Sequence, residues 1–394
     1  MAGHEVKFVG GRLTGAVVSK LSIDGITWGI PAAIVEFTNH IRAAAQYANH
    51  ELPREVLGIY YADYYLAQVN NGGHSQYVGN SGKGLAANID YALQGLETIG
   101  AEEQYRTLAG LKAWITANPE EAAAQNGFSI RAPELETLDA RFFDAEKRAS
   151  ITDLAARWIT SWPNLETIDD KRYGERLRAL AGLNPNFDIR RIWRASEQNR
   201  FNLTDKLQIT VAVACGAVEP EPDVKIRINA GRYTELNGQS VVEWGVTTDK
   251  GLRYAIVHDN GGTLRETVPD ASPKSRARTA GRQIASVSAQ MVRKFVDAAE
   301  HSKAGVSIDL VMQRAGYVTS EVGHPALTAW KLESDRAIFI AHIEPRNLII
   351  RTAADGAALL DAAGAATLTV TKDEIAAHQA QARRGCASVL PPKS

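Results

Sequence analysis

Tyr60-Tyr61-Ala62-Asp63-Tyr64-Tyr65-Leu66-Ala67-Gln68-Val69-Asn70-Asn71-Gly72-Gly73-His74-Ser75-Gln76-Tyr77-Val78-Gly79-Asn80-Ser81 is the stretch whose reading decides the first half of the fold. Val56, Leu57, Tyr60, Tyr64 and Ala67 recur at helical spacing behind Pro53, a residue suited to a first helical turn. Asn70-Asn71-Gly72-Gly73 then stops the helix, because glycine supplies the left-handed conformation and asparagine tolerates it. Ser75 to Asn80 fits one further short turn of helix. Asn70, Asn71, Gly72, Gly73, His74, Gln76 and Asn80 therefore read mainly as a structural loop. Its asparagines are expected to bond backbone groups that helix ends leave unpaired.

Working outward, the glycine-bearing residues 1–30 read as short strands or an ordered arm. Ile34, Phe37, Ile41 and Ala45 mark a helix that Pro31 opens. Further helices are expected over 83–99, 101–117, 120–126, 134–148 and 151–161, and a basic one over 165–183. The pattern then changes. Val224 to Ile228 alternates apolar and charged residues, the period of a half-buried strand. Strands are expected at 240–248 and 252–258, joined by the turn Asp249-Lys250-Gly251. A long helix is expected over 275–304, with Ile284, Val287, Met291, Phe295 and Ala298 on one face. Strands follow at 326–332, 337–343 and 347–351, and helices at 355–363 and 371–384. Glu219-Pro220-Glu221-Pro222 cannot continue either kind of element. The expected organisation is an arm over 1–30, a helical domain over 31–183, a connector over 184–219 and an α+β domain over 220–394. The fold class is α+β, an all-α domain followed by antiparallel strands with a long helix. No internal repeat is evident.

Lys and Arg number 44 against 45 Asp and Glu, so a dominant basic nucleic-acid surface is excluded and direct nucleic-acid binding is not expected. Two cysteines, Cys215 and Cys386, cannot build a disulfide framework, which points to a reducing cytoplasm. No signal peptide is read at the start of the chain. The most apolar run, Leu207 to Val218, is 12 residues long. That is short of the roughly 20 a membrane span needs, so it reads as core.

The quoted stretch, together with Ala92-Leu93-Gln94-Gly95-Leu96-Glu97-Thr98-Ile99-Gly100-Ala101, resembles a bacterial helical family named for a DNA-mimic protein. The likeness covers about residues 32–145. The family pattern is a helix ending in Val-Asn-Asn-Gly-Gly, an aromatic, a Gln–aromatic pair and an Asn, with a later Leu…Ile-Gly-Ala segment. Here His74 stands in the place of the aromatic, and Gly79 precedes Asn80. The resemblance implies a helical, non-catalytic domain that binds a protein partner, such as a DNA-binding regulator, and masks its basic surface. No cofactor and no metal are expected, and the α+β second half is expected to supply oligomer contacts or a second recognition surface. Residues 30–145 carry 14 Asp and Glu against 7 Lys and Arg, a net of −7. Asp63, Glu97, Glu102 and Glu103 are the candidates for charge, and Tyr65 and Tyr77 for aromatic anchoring.

Two other readings exist. The later half could house an enzyme using His258, Asp259, His324, His342 and Glu344, although their spacing sets no reaction class. The kind of protein resembled also suggests a neutralising component of a bacterial defence or toxin–antidote system. Glu36 and His40 lie four apart, with His74 as a third group, but there is no HExxH or CxxC, so no metal is assigned. Gly10-Gly11-x-x-x-Gly15 lacks the features of a phosphate loop. Lys274, Arg276, Arg278, Arg282, Arg293 and Lys294 would form a basic stripe on the long helix, able to meet an acidic partner or the acidic first domain.

Overall fold

The computed structural model describes residues 4–127, 130–236, 238–269, 278–318, 323–334 and 336–390. The chain divides into two compact units, Met1–Phe187 with Ser388–Ser394, and Asp188–Ala387.

The first unit opens with the small hairpin β1 (Phe8–Val9) and β2 (Arg12–Leu13), then β3 (Ala16–Ser19) and α1 (Lys20–Asp24). Its helices are α2 (Gly29–Ala43), α3 (Arg54–Ser81), α4 (Leu85–Thr98), α5 (Glu102–Ala117), α6 (Pro119–Ala124), α7 (Glu134–Arg148) and α8 (Ile151–Ser161). Strand β4 (Leu165–Ile168) and helix α9 (Asp170–Gly182) close it. The expected helical spacing holds on α2, where Ile34, Phe37 and Ile41 are buried. On α3 Val56 and Leu57 are buried, but Tyr60 and Tyr64 are half-buried and Ala67 is exposed, and the buried stripe runs instead through Tyr61, Tyr65 and Val69. Helix α3 is the hub, with α2, α4, α6, α7 and α8 all packed on it. The basic helix expected over 165–183 begins later. Leu165–Ile168 instead pairs in parallel with β3, and Asp169 then caps α9 by accepting from Lys171 N at 3.0 Å.

The second unit begins with α10 (Phe187–Thr204) and α11 (Lys206–Gly216), so the segment expected as a connector is two helices. Asp205 caps α11, and every residue from Ile209 to Gly216 is buried, so this run is core on all sides. A five-stranded antiparallel meander follows: β5 (Arg227–Leu236), β6 (Gln239–Thr248), β7 (Gly251–His258), β8 (Gly261–Pro269) and β9 (Arg278–Ser288). The strand read at 224–228 starts at Arg227 and runs on. Helices α12 (Ala289–His301) and α13 (Ala304–Arg314) come next. A second five-stranded meander then runs through β10 (Ala326–Glu333), β11 (Arg336–Ile343), β12 (Arg346–Ala353), β13 (Gly356–Leu360) and β14 (Ala366–Thr371), before α14 (Lys372–Ser388).

The expected long helix is thus a strand followed by a helix. Ala285 and Val287 are buried while Ser286 and Ser288 are exposed, the period of two that a strand requires. Ser288 then caps α12 by accepting from Met291 N at 3.2 Å. Met291 itself is exposed, and the buried face of α12 is Val292, Phe295 and Ala299. The basic stripe is divided accordingly. Arg282 lies on β9 and pairs with Glu266 at 2.8 Å, Arg293 and Lys294 lie exposed on α12, and Lys274 and Arg276 are outside the described residues. The helix expected over 355–363 is strand β13: its Ala and Leu residues favour helix, but pairing with β12 and β14 overrides that preference.

A repeat emerges that the sequence does not display. Helix α11, the first meander and α12 are followed by α13, the second meander and α14, the same order of elements twice.

Close backbone approach is a constraint in both units. A Cβ at Gly95 of α4 would overlap the carbonyl of Gly58 on α3, and one at Gly216 of α11 would overlap the carbonyl of Ala329 on β10. Replacing Gly95 by Ala should therefore cost the first unit about 1–3 kcal/mol in urea unfolding, as overpacking does. Gly182→Ala, where a Cβ meets nothing within 4 Å, should be neutral or stabilising. Equal effects at the two sites would contradict the close helix contact.

Candidate functional site

The motif loop is a break inside α3. Gly73 has φ +69°, which a side chain would strain, and a Cβ there would also collide with the Asp139 carboxylate. The break exposes the N-terminus of the second half-helix, and Asp139 on α7 satisfies it. Asp139 Oδ1 accepts from the His74 backbone N–H at 2.8 Å and from His74 Nδ1 at 2.6 Å. Arg131 Nη2 reaches Asp139 Oδ2 at 3.3 Å. On the other side of the ring, Tyr65 Oη lies 2.8 Å from His74 Nε2.

Burial opposes the charged form of Asp139. The hydrogen bonds from the His74 side chain and backbone, with the His74 and Arg131 charges, outweigh it and hold the carboxyl below its ordinary range. Burial, together with the neighbouring Tyr77, Asp139 and Glu146, pushes the Tyr65 phenol well above its ordinary range. An ionised Asp139 can only accept, so His74 Nδ1 carries a proton, and the ring is turned so that Nε2 faces the Tyr65 hydroxyl. The His74 ring is fully buried with both nitrogens engaged. This relay holds structure and offers no face to a substrate.

A second polar link spans the break. Gln68 Oε1, before it, accepts from Gln76 Nε2 at 3.1 Å and from Asn80 Nδ2 at 2.6 Å, both after it. Ser75 donates to the Ile130 carbonyl at 3.0 Å and accepts from Gly127 N at 3.0 Å, tying the break to the segment before α7. Asn70 and Asn71 are exposed, and among the described residues their side chains cap nothing. The capping expected of them falls to Asp139, because the chain folds an acidic side chain from another helix onto the open end.

The expected anchors are corrected by the same packing. Tyr65 and Tyr77 are 0% exposed, and their rings meet edge to face at 5.0 Å, with Phe142 also edge to face with Tyr65 at 5.2 Å. They belong to the core and cannot reach a partner. Asp63 is half-buried, and burial raises its pKa, which makes it a poor stand-in for a phosphate. Glu97, Glu102 and Glu103 are exposed. They flank the tight α4–α5 corner, where Gly100 has φ +74° and Ala101 N donates to Leu96 O at 2.8 Å. Glu102 and Glu103 start α5, where negative charge suits the helix dipole, and both also meet Arg106, at 3.1 and 2.5 Å.

Of the acid–base groups read in the second unit, only His342 and Glu344 meet, at 3.4 Å, and the others sit on other segments. His258 and Asp259 sit at the β7–β8 turn, with Asp259 on Lys206 at 2.7 Å. His342 and Glu344 sit at the β11–β12 turn, where His342 Nδ1 meets Asn347 Oδ1 at 2.7 Å and Glu344 meets Lys225 at 2.6 Å. His324 is on a third segment, just ahead of β10. Among the described residues no group of three or more His, Cys, Asp or Glu could hold a metal, and no helix is long and apolar enough to cross a membrane. His74, considered as a ligand with Glu36 and His40, is committed to Asp139 and Tyr65.

Residues 50–162 match the DMP19-like protein family. The matched segment runs from just before α3 to the end of α8, so it contains both the His74–Asp139 pair and the acidic corner. No curated protein and no solved structure matches the chain. The relay itself was missed at the sequence level, since nothing in the spacing of His74 and Asp139, 65 residues apart, joins them.

Because the Asp139 carboxyl is held below its unfolded range, its contribution is present above about pH 4 and fades as pH falls below that. Asp139→Asn should cost about 2–3 kcal/mol at pH 7 by urea unfolding. The gap to the unsubstituted protein should narrow below about pH 4. A gap that stays constant from pH 7 to pH 3 would contradict the assignment.

Proposed function

We propose that the first unit is a non-catalytic protein-binding module that masks the basic surface of a DNA-binding partner. The match of the segment to a DNA-mimic family, together with three exposed carboxylates gathered at one corner of it, carries this reading. Glu97, Glu102 and Glu103 project from the ends of two packed helices, so the framework beneath them is rigid. A cationic groove that normally holds phosphates is complementary to such a corner in charge. Tyr65 and Tyr77 support it from within, as the packing that fixes α3 against α7. Association of this kind is steered by charge and weakens as salt shortens the screening length.

The test uses the full chain as bait in a native lysate from its source cells. Proteins it captures at about 0.1 M salt should be released by about 0.5 M salt and by added duplex DNA, which would occupy the same groove. The triple change Glu97→Gln, Glu102→Gln and Glu103→Gln should cut their recovery at least tenfold while costing the fold no more than about 1–2 kcal/mol, the loss expected from the α5 dipole and the exposed Arg106 pairs. Capture that survives both high salt and the triple change would overturn the reading.

A further inference from the structure

In the second unit a cavity of about 520 Å³ lies between α10, the α12–α13 junction and α14. That is within the range of sites that take small organic ligands. Its apolar wall includes Trp193, Leu203, Val306 and Ala382. Its polar end is built by the start of α13. Lys303 sits there in the left-handed conformation, φ +51°, and no side chain caps the helix. The N–H groups of Ala304 and Gly305 therefore have no intrahelical acceptor. Gly305 allows this end to press on α10, where a Cβ would come within 2.7 Å of the Ser196 carbonyl.

A second feature of the same wall points to a ligand. Ser196 is 3% exposed, and its hydroxyl has no hydrogen-bond partner among the described residues. A buried hydroxyl left unpaired is costly, and a bound acceptor would relieve it. The charges agree. Lys303 and Arg383 line the cavity, are exposed and make no ion pair among the described residues. Of the two carboxylates on the wall, Glu197 is held by Arg200 at 2.8 Å, and Glu300 lies beside the same Arg200.

We propose that this cavity binds an amphiphilic anion, an oxyanion head group carrying an alkyl or aryl body. The head accepts from the Ser196 hydroxyl and the open N-terminus of α13, with Lys303 and Arg383 supplying charge. The body lies along Trp193, Leu203 and Val306. This site is independent of the partner-masking surface of the first unit.

Calorimetric titration of the full chain with octanoate, octyl phosphate and neutral octanol tests it. At least one of the two anions should bind saturably and at least tenfold more tightly than octanol, and their order identifies the head group as carboxylate or phosphate. Ser196→Ala and Lys303→Met should each weaken the preferred anion several-fold. Ser196→Ala should leave the unliganded protein as stable as before or more so, since it removes an unpaired buried hydroxyl. Absence of binding by both anions, octanol binding as tightly as they do, or a Ser196→Ala protein that binds the preferred anion unchanged would each overturn the proposal.

Discussion

Asp139 caps a helix to which it does not belong. The second half of α3 begins at His74 with its backbone donors open, and the carboxylate comes to it from α7. An N-cap normally lies within a few residues of the donors it satisfies. Here 65 residues intervene, so the cap is also a tertiary tie. Because α3 is packed by five other helices, fixing its break against α7 sets the angle at which its two halves leave the core. Tyr65, His74 and Asp139 form one line of hydrogen bonds from the first half of α3 through the second to α7. Gln68 repeats the link at the surface. The rigidity of the α4–α5 corner follows from this, since α4 packs on α3 and α5 packs on α7.

The second unit solves a different problem. Each five-stranded meander has an apolar face too large to leave in water, and helices cover it. Helix α11 is buried along its last eight residues and packs against β7, β8, β9 and β10, so it touches both sheets. That explains an apolar run without amphipathic pattern: a helix covered on every side has no polar face to display. Gly216 closes its end against β10.

Much of the first unit was legible in the sequence because its signals are local. Helices α7 and α8 fall on the expected residues, and Asn70-Asn71-Gly72-Gly73 marks the break in α3. The strand β4 was not legible, since four residues give too short a pattern and its partner β3 lies about 150 positions away. In the second unit, Ile284, Val287 and Met291 imitate helical spacing across a junction that joins β9 to α12. Ala357 to Leu360 form a strand because two neighbours bond to them, which propensity cannot foresee. The site was partly legible. Exposed Glu97, Glu102 and Glu103 follow from their places beside helix ends. Tyr65 and Tyr77 looked like anchors because tyrosine serves both surfaces and cores, and only packing decides between them. Asp139 carried no local mark at all.

Native-state hydrogen exchange at the His74 amide probes the tie between the halves of α3 and α7 most directly. With Asp139 as its acceptor, that amide should exchange only through global unfolding of the first unit, as slowly as the best protected amides of α3 and α7. Exchange by local opening, at the rate of the frayed helix ends, would show that the break is held by something other than the His74–Asp139 pair.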